Sequence, residues 1–139
     1  MLSPTTHWLG LSISAVMPAY NEEAGITAAV LQVEGVLAAL TSDFEIVVTN
    51  DGSRDRTGQV LAELQQQCPG LPLRVVTHQA NQGYGAAVAS ALDAATKDLI
   101  FFTDGDQQFD VREVGLLLEA MDATTDLVIR SEEHTSELQ

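Results

Sequence analysis

Two carboxylates one residue apart are the feature of this sequence best suited to chemistry. Asp104 and Asp106 flank Gly105 directly after an apolar run at residues 99–103. Paired oxygen ligands of this kind hold Mg²⁺ or Mn²⁺, which keep several waters and take further ligands from substrate phosphates. Asp-Gly is also ordinary turn chemistry, so the pair alone is weak evidence. Its position after a predicted buried strand favours a metal site at Asp104 and Asp106.

Apolar runs and helix-periodic segments alternate along the chain, and this alternation decides where the carboxylates lie. Strands are predicted at residues 13–17, 44–49, 73–77, 99–103 and 126–129, and helices at 22–40, 57–68, 85–95 and 111–121. Short links between alternating strands and helices are typical of βαβ units. The predicted fold class is therefore α/β, with a mostly parallel sheet covered by helices on both faces.

Polar residues follow each of the first four predicted strands. In an open parallel sheet, ligands bind outside the carboxyl ends of the strands, so these residues are predicted to meet at one edge. Asp51 of the Asp51-Gly52-Ser53 motif follows the second strand. Its carboxylate can accept hydrogen bonds from the ring N–H of a base or from a ribose hydroxyl.

Several of the polar and aromatic residues in these loops suit a structural role. Asn21 is predicted to cap the first helix, and Asp55 is interpreted as the cap of the second helix rather than as a ligand. Tyr20 suits either a stacking surface or the core. Gly83 and Gly85 lack the third glycine of a dinucleotide fingerprint, so we interpret them as points where a loop packs closely against a helix.

The composition excludes several classes of function. The 139 residues include 20 acidic and 6 Lys or Arg residues, for a formal net charge of −14. This balance argues against a nucleic-acid partner and against docking on anionic lipid through this segment. The single cysteine, Cys68, excludes a disulfide framework and a cysteine-rich zinc site. His7, His78 and His134 lack metal-ligand spacing and are assigned structural or solvent-facing roles.

No apolar run approaches the ~18 residues of a membrane span. Residues 1–11 have no basic start and make a poor signal peptide, so the expected location is cytoplasmic.

Four motifs in order resemble those of the family 2 inverting glycosyltransferases. They are PAYNE at 18–22, NDGSRDRT at 50–57, NxGxGxA at 81–87 and DGD at 104–106. The resemblance covers about residues 12–129. Within the family, the sequence most resembles the branch of dolichyl-phosphate mannosyltransferases and undecaprenyl-phosphate glycosyltransferases. It implies the nucleotide-binding half of a GT-A fold. Asn50 and Gln107 depart from the pattern, which often has Asp and Gly there.

The resemblance implies a role for each matching residue. Those implied to bind the nucleotide sugar are Pro18, Ala19, Tyr20, Glu22, Asp51, Ser53, Gly83 and Asp104. Asp51 is implied to bind the base. Asp104 and Asp106 are implied to hold Mg²⁺ or Mn²⁺ with the diphosphate, Asp106 as the more direct ligand.

The implied reaction transfers the sugar of a nucleotide-diphosphate donor, with inversion, to a polyprenyl phosphate. In the family, an acceptor-side base lies well beyond the strand predicted at residues 126–129. The catalytic residue is therefore left unassigned, and this chain is expected to be truncated and inactive alone. Membrane contact is expected only through C-terminal parts that the chain lacks, on the cytoplasmic face.

Two other classes of function also fit an acidic α/β domain. One is a nucleotide or nucleotide-sugar binding module without turnover, which the sequence leaves open. The other is a signalling receiver, which needs a phosphoacceptor Asp after the third strand and a Lys after the fifth. Here the third strand is followed by His78, and the only lysine, Lys97, precedes the fourth strand. The receiver hypothesis is therefore disfavoured.

The ends of the chain differ from its middle. We predict an N-terminal extension at residues 1–11, an incomplete donor-binding domain at 12–129 and a non-native tail at 130–139. The tail turns abruptly from apolar to charged and resembles the translation of a short-read sequencing adapter. No function is assigned to Glu132, Glu133, His134 or Glu137.

Resequencing of the locus checks the prediction about the tail. We expect the native reading frame to depart from the present sequence after Ile129. A native frame that encodes residues 130–139 as they stand would refute the hypothesis.

Overall fold

Strands and helices alternate along the protein, as the computed structural model shows. It describes residues 12–103 together with the backbone of residues 127–130 and 135–138. The elements are β1 (Ile13–Ala19), α1 (Ile26–Leu40), β2 (Phe44–Asp51), α2 (Thr57–Gln67), β3 (Leu73–His78), α3 (Tyr84–Ala94), β4 (Leu99–Phe102), β5 (Leu127–Arg130) and β6 (Thr135–Leu138). The helix predicted at residues 111–121 lies outside the described residues.

The described strands form one sheet in the order β3-β2-β1-β4-β5-β6. Strands β1 to β5 pair in parallel, and β6, which belongs to the segment predicted to be a tail, pairs antiparallel with β5. The chain moves outward from β1 to β3 and then crosses to the other side of β1. This reversal beside β1 is the point at which open α/β sheets bind ligands.

The two faces of the sheet bury different helices. On one face, Met17 and Ile46 belong to a core cluster that includes the buried residues of α1 and α2. On the other face, Val16 and Val47 pack with Ala91 of α3. Alternation along β1 and β2 sends successive side chains to opposite faces, so both faces need an apolar cover. The predicted α/β fold, with a mostly parallel sheet and helices on both faces, is confirmed.

The first helix begins later than predicted. Gly25, not Asn21, is the N-cap residue of α1, and no side-chain hydrogen bond caps it. The amides of Gly25 and Ile26 instead donate to the carbonyl of Glu22, at 3.0 and 2.9 Å. The prediction that Asn21 caps this helix is wrong, because its side chain binds a neighbouring loop. No helix in the described part of the chain is both long and apolar enough to cross a membrane.

Glu45 joins three segments at the amino end of the sheet. Its carboxylate accepts hydrogen bonds from the hydroxyl of Ser14 at 2.7 Å, the amide of Thr96 at 2.7 Å and the guanidinium of Arg74 at 3.0 Å. Burial alone would raise the pKa of Glu45. The hydrogen bonds to Ser14, Thr96 and Arg74 outweigh burial and lower this pKa to about 2.

The free energy of unfolding is therefore expected to fall in acid through Glu45. Because its folded pKa lies below the ordinary value of 4.5, this stabilisation is complete above pH 4.5 and is lost as the pH falls towards 2. The difference between these two pKa values corresponds to up to about 3 kcal/mol of the free energy of unfolding. Denaturant titrations between pH 7 and 3 should show a shallower acid loss for Glu45→Gln than for the unmodified protein.

Asp43→Asn is the matched control. Asp43 pairs with Lys97 at 2.7 Å, but its side chain is 57% exposed. Exposed ion pairs contribute little to stability, so this variant should keep the acid loss of the unmodified protein. An unchanged acid loss in Glu45→Gln would contradict the assignment.

Candidate functional site

A pocket of about 360 Å³ opens at the carboxyl edge of the sheet. Its lining comes from the ends of β1 and β2, from the loops that follow β1 and β3, and from the start of α3. The lining residues are Pro18, Ala19, Tyr20, Glu22, Asp51, Asn81, Gly83, Tyr84 and Ala87. The structure thus brings together most of the residues predicted to bind a nucleotide sugar. Ser53 is not in the lining, and Asp104 lies outside the described residues.

Asp51, the last residue of β2, has a buried carboxylate that accepts four hydrogen bonds. Oδ1 accepts from Nδ1 of His78 at 2.8 Å and from the amide of Gln82 at 2.9 Å. Oδ2 accepts from the side-chain amide of Asn81 and from the amide of Gly83, both at 3.0 Å. A carboxylate has about four acceptor sites, so the protein itself occupies all of them.

The hydrogen bonds also set the ionisation of Asp51. Burial, with the side chain 4% exposed, raises its pKa, but the hydrogen bonds to Gln82, His78 and Gly83 outweigh that effect. The pKa of Asp51 therefore lies below its ordinary value, and the group is an anion at neutral pH. The predicted contact between Asp51 and a base requires the base to replace or share one of the four donors.

Gly52 allows the second loop, which follows β2 at residues 52–56, to contact the third loop, which follows β3 at residues 79–83. Its φ is +69°, and a Cβ placed there would lie 2.3 Å from the nitrogen of Asn81 and 2.4 Å from the carbonyl carbon of Ala80. Among the described residues, a Cβ at Gly83 or Gly85 would meet nothing within 4 Å, so the prediction that these two glycines permit close packing is wrong for this part of the chain. Gly83 serves a different purpose, because its φ of +104° is a conformation that other residues rarely adopt.

Asn21 links the first loop, which follows β1 at residues 20–25, to the second loop. Its amide donates to the hydroxyl of Ser53 at 3.0 Å, and its side-chain oxygen accepts from the amide of Arg54 at 2.8 Å. The next residue, Glu22, donates from its amide to the hydroxyl of Thr57 at 2.8 Å. Ser53 therefore shapes the pocket by holding the loop that carries Tyr20 and Glu22.

Asp55 contributes to the same junction. Its carboxylate accepts from the amide of Glu23 at 3.2 Å and from the amide and hydroxyl of Thr57, the amide at 2.9 Å. Arg56, not Asp55, occupies the N-cap position of α2. The predicted cap is thus displaced by one residue, but Asp55 still satisfies an amide of the first helical turn.

Two tyrosines supply the aromatic part of the pocket. Tyr20 is 42% exposed and Tyr84 is 59% exposed, so Tyr20 belongs to the pocket wall and not to the core. The ring of Tyr84 meets the ring of Phe102 edge to face, with centroids 6.3 Å apart. Sequence reasoning missed Tyr84, which occupies an unspecified position of the NxGxGxA motif. Asn81 and Ala87 also line the pocket and were not predicted to do so. Both are fixed positions of that motif, so the motif could have identified them as lining residues.

The predicted metal ligands Asp104 and Asp106 lie outside the described residues. Within those residues, no group of three or more His, Cys, Asp or Glu side chains is placed to hold a metal ion. Thr103 is the last described residue before Asp104, and its amide donates to the carbonyl of Val16 at 3.1 Å. This bond fixes Thr103 beside β1, whose later residues Pro18 and Ala19 line the pocket.

Curated relatives with similar sequences are sugar transferases. The undecaprenyl-phosphate 4-deoxy-4-formamido-L-arabinose transferase of Pseudomonas aeruginosa (strain LESB58) is 32% identical over 126 residues, which is 89% of this chain and 37% of that protein. The dodecaprenyl-phosphate galacturonate synthase of Rhizobium johnstonii is 32% identical over 112 residues, or 81% and 33% of the two chains. The chain thus spans about a third of the length of these relatives.

Solved structures share the fold. The mannosyltransferase PcManGT from Pyrobaculum calidifontis, in complex with GDP-Man and Mn²⁺, superposes with a TM-score of 0.71 at 21% identity, covering 90% of this chain and 36% of that one. TarS 1-349 from S. aureus in complex with UDP gives 0.60 at 26% identity, covering 78% and 32%. Both similarities cover most of this chain and support a GT-A architecture.

The contact at Gly52 predicts that Gly52→Ala will be strongly destabilising. The added Cβ would meet backbone atoms of Ala80 and Asn81, which cannot rotate away, and the positive φ adds strain of about 1 kcal/mol. Gly83→Ala carries the positive φ without the collision and should be less harmful. Gly70→Ala, with neither feature, is the control. Thermal unfolding should rank their melting temperatures Gly52→Ala < Gly83→Ala < Gly70→Ala, and equal values for the first two variants would contradict the close contact.

The extent of the sequence match decides the family. The sequence model of "Glycosyl transferase family 2" matches residues 14–133, which include every residue that lines the pocket. The matched region also contains the four motifs that resemble this family. The chain therefore belongs to glycosyl transferase family 2.

Proposed function

We propose that this protein binds a nucleotide-diphosphate sugar together with a divalent cation, and that the protein from which the chain derives transfers the sugar with inversion to a polyprenyl phosphate. The observation that carries the proposal is the pocket at the carboxyl edge of the sheet in a chain of this family. The acceptor class is supported by relatives whose names specify undecaprenyl or dodecaprenyl phosphate.

The lining of the pocket suits a nucleoside. Tyr20 and Tyr84 offer exposed aromatic rings, and base–aromatic stacking stabilises a bound base by about 1–3 kcal/mol. Glu22 places a second carboxylate in the lining besides Asp51. Carboxylates accept hydrogen bonds from base N–H groups and from ribose hydroxyls. The proposed binding residues are Pro18, Ala19, Tyr20, Glu22, Asp51, Ser53, Gly83 and Asp104.

A diphosphate needs a cation in so acidic a chain. The net charge of −14 disfavours a bound dianion unless local positive charge offsets it. Asp104 and Asp106 form a hard oxygen donor pair of the kind that Mg²⁺ or Mn²⁺ prefers, and we assign the cation to them. When bound, the cation offsets the charge that develops on the departing nucleoside diphosphate. The solved PcManGT complex, which contains GDP-Man and Mn²⁺, supports a divalent cation.

The proposed reaction is a displacement at the anomeric carbon of the sugar. A phosphate oxygen of the acceptor attacks from the face opposite the diphosphate and forms the new C–O bond. The bond to the nucleoside diphosphate breaks and its electron pair leaves with the diphosphate. Because the acceptor oxygen is already anionic, the reaction needs little help from a general base.

This chain spans about a third of the length of the relatives that it matches. We therefore expect it to bind donor with little or no transfer.

Isothermal titration calorimetry with UDP, GDP and their sugar conjugates tests donor binding, with Mn²⁺, with Mg²⁺ and with neither. We expect binding that requires a divalent cation. Tyr20→Ala should weaken nucleotide affinity about tenfold through lost stacking. Leu31→Ala is the matched control, because Leu31 is 41% exposed against 42% for Tyr20 but lies on α1 outside the pocket.

Asp106→Ala tests the metal assignment. This variant should lose the affinity that Mn²⁺ or Mg²⁺ adds to nucleotide binding and keep its melting temperature. A folded protein that binds no nucleotide in the presence of either cation would refute the proposed function. Metal-dependent binding that survives Asp106→Ala would refute the ligand role alone.

A further inference from the structure

His78 lies behind the pocket wall with both ring nitrogens engaged. Nδ1 is 2.8 Å from Oδ1 of Asp51, and Nε2 is 2.8 Å from the hydroxyl oxygen of Ser90. The side chain of His78 is 9% exposed. Asp51 lines the pocket, whereas His78 and Ser90 do not. The three residues therefore form a row that runs from the pocket, through the end of β3, to α3.

The chemistry of the row fixes which ring nitrogen carries the hydrogen. The ionised Asp51 can only accept hydrogen bonds, so Nδ1 of His78 must be the donor. In the neutral ring, Nε2 is then an acceptor, and the hydroxyl of Ser90 is the group that donates to it. Because the hydroxyl of Ser90 can donate to Nε2, this contact is compatible with the Nδ1–H tautomer that Asp51 requires.

The row matters to the pocket because of what Asp51 holds. Oδ1 is shared between His78 and the amide of Gln82, and Oδ2 binds Asn81 and Gly83. Without His78, Oδ1 loses one of its two donors and keeps only the amide of Gln82. The three remaining donors all belong to residues 81–83, so His78 is the one partner that ties the carboxylate to a strand outside that segment.

The same three residue types form the nucleophilic triad of many hydrolases, but their order here excludes that role. In such a triad the serine faces the substrate and the carboxylate lies behind the histidine. In this protein the carboxylate faces the pocket, and Ser90 lies on the far side of the ring. The histidine therefore serves the carboxylate.

We propose that His78, held between Asp51 and Ser90, is a positioning residue for nucleotide binding that orients the Asp51 carboxylate and, through it, the pocket wall at residues 81–83. The proposal rests on the proposed function, since the pocket must bind a nucleotide for the orientation to matter.

The test combines substitutions at both positions with calorimetry using UDP and GDP in the presence of Mn²⁺. His78→Ala should weaken nucleotide affinity by about tenfold, the effect of losing one hydrogen bond to a charged group. In His78→Asn, the side-chain amide can donate to Asp51 from the Nδ1 position, so affinity should return to within about twofold of the unmodified protein. His78→Gln places its amide nearer to Ser90 and should not restore affinity.

Ser90→Ala removes the outer contact alone and should weaken nucleotide affinity by a few-fold. Long-range ¹H–¹⁵N spectra should show the Nδ1–H tautomer of His78 in the unmodified protein, and Asp51 should preserve this tautomer in Ser90→Ala. Gln65→Ala is the control, because Gln65 donates to the carbonyl of Leu73 in the same strand at 2.9 Å without contacting Asp51. It should change stability without changing affinity.

Two results would overturn the proposal while leaving the proposed function intact. One is nucleotide binding that is equal in the unmodified protein and in folded His78→Ala. The other is an Nε2–H tautomer of His78 in the unmodified protein. Absence of nucleotide binding by the unmodified protein would instead refute the proposed function, and this proposal with it.

Discussion

The buried carboxylate of Asp51 is the constraint on which the pocket depends. An ionised group in the interior is strongly unfavourable unless hydrogen bonds replace its lost water. The loop after β3 supplies that replacement through the amides of Gln82 and Gly83 and the side chain of Asn81. The same hydrogen bonds give acceptors to the main-chain amides of Gln82 and Gly83, which lie outside the strands and so outside the hydrogen-bond ladder of the sheet. The pocket wall at residues 81–83 is therefore held in place by its hydrogen bonds to the Asp51 carboxylate.

The parallel sheet makes this arrangement possible. Asp51 and His78 stand opposite each other in the register of β2 and β3, at the last pair of the ladder. The ends of neighbouring parallel strands thus deliver their side chains to the same level. The first two loops are joined in a similar way, because the side chain of Asn21 accepts a hydrogen bond from the main-chain amide of Arg54. Side chains of one loop satisfy the backbone of the next, and the three loops form one unit.

The sequence predicted the fold well, because alternating apolar runs and helical periodicity are local properties. It also predicted most of the pocket lining, through motifs at the strand ends. It failed where tertiary contacts decide: Asn21 binds the second loop instead of capping α1, and the close approach occurs at Gly52 and not at Gly85. Such contacts join residues about thirty positions apart and leave no local pattern. The metal pair Asp104 and Asp106, the tail and the cytoplasmic location stay predictions.

The anchoring of the third loop has a consequence for how the pocket can change. Asp51 holds Gln82 and Gly83 through main-chain amides, so the identity of the side chain at position 82 does not enter the anchor. That side chain is exposed, as is Tyr84 two residues later. Tyr84 lines the pocket but is not among the groups that donate to the Asp51 carboxylate. Evolution or design can therefore exchange the side chain at position 84 to alter ligand preference while the loop keeps its course.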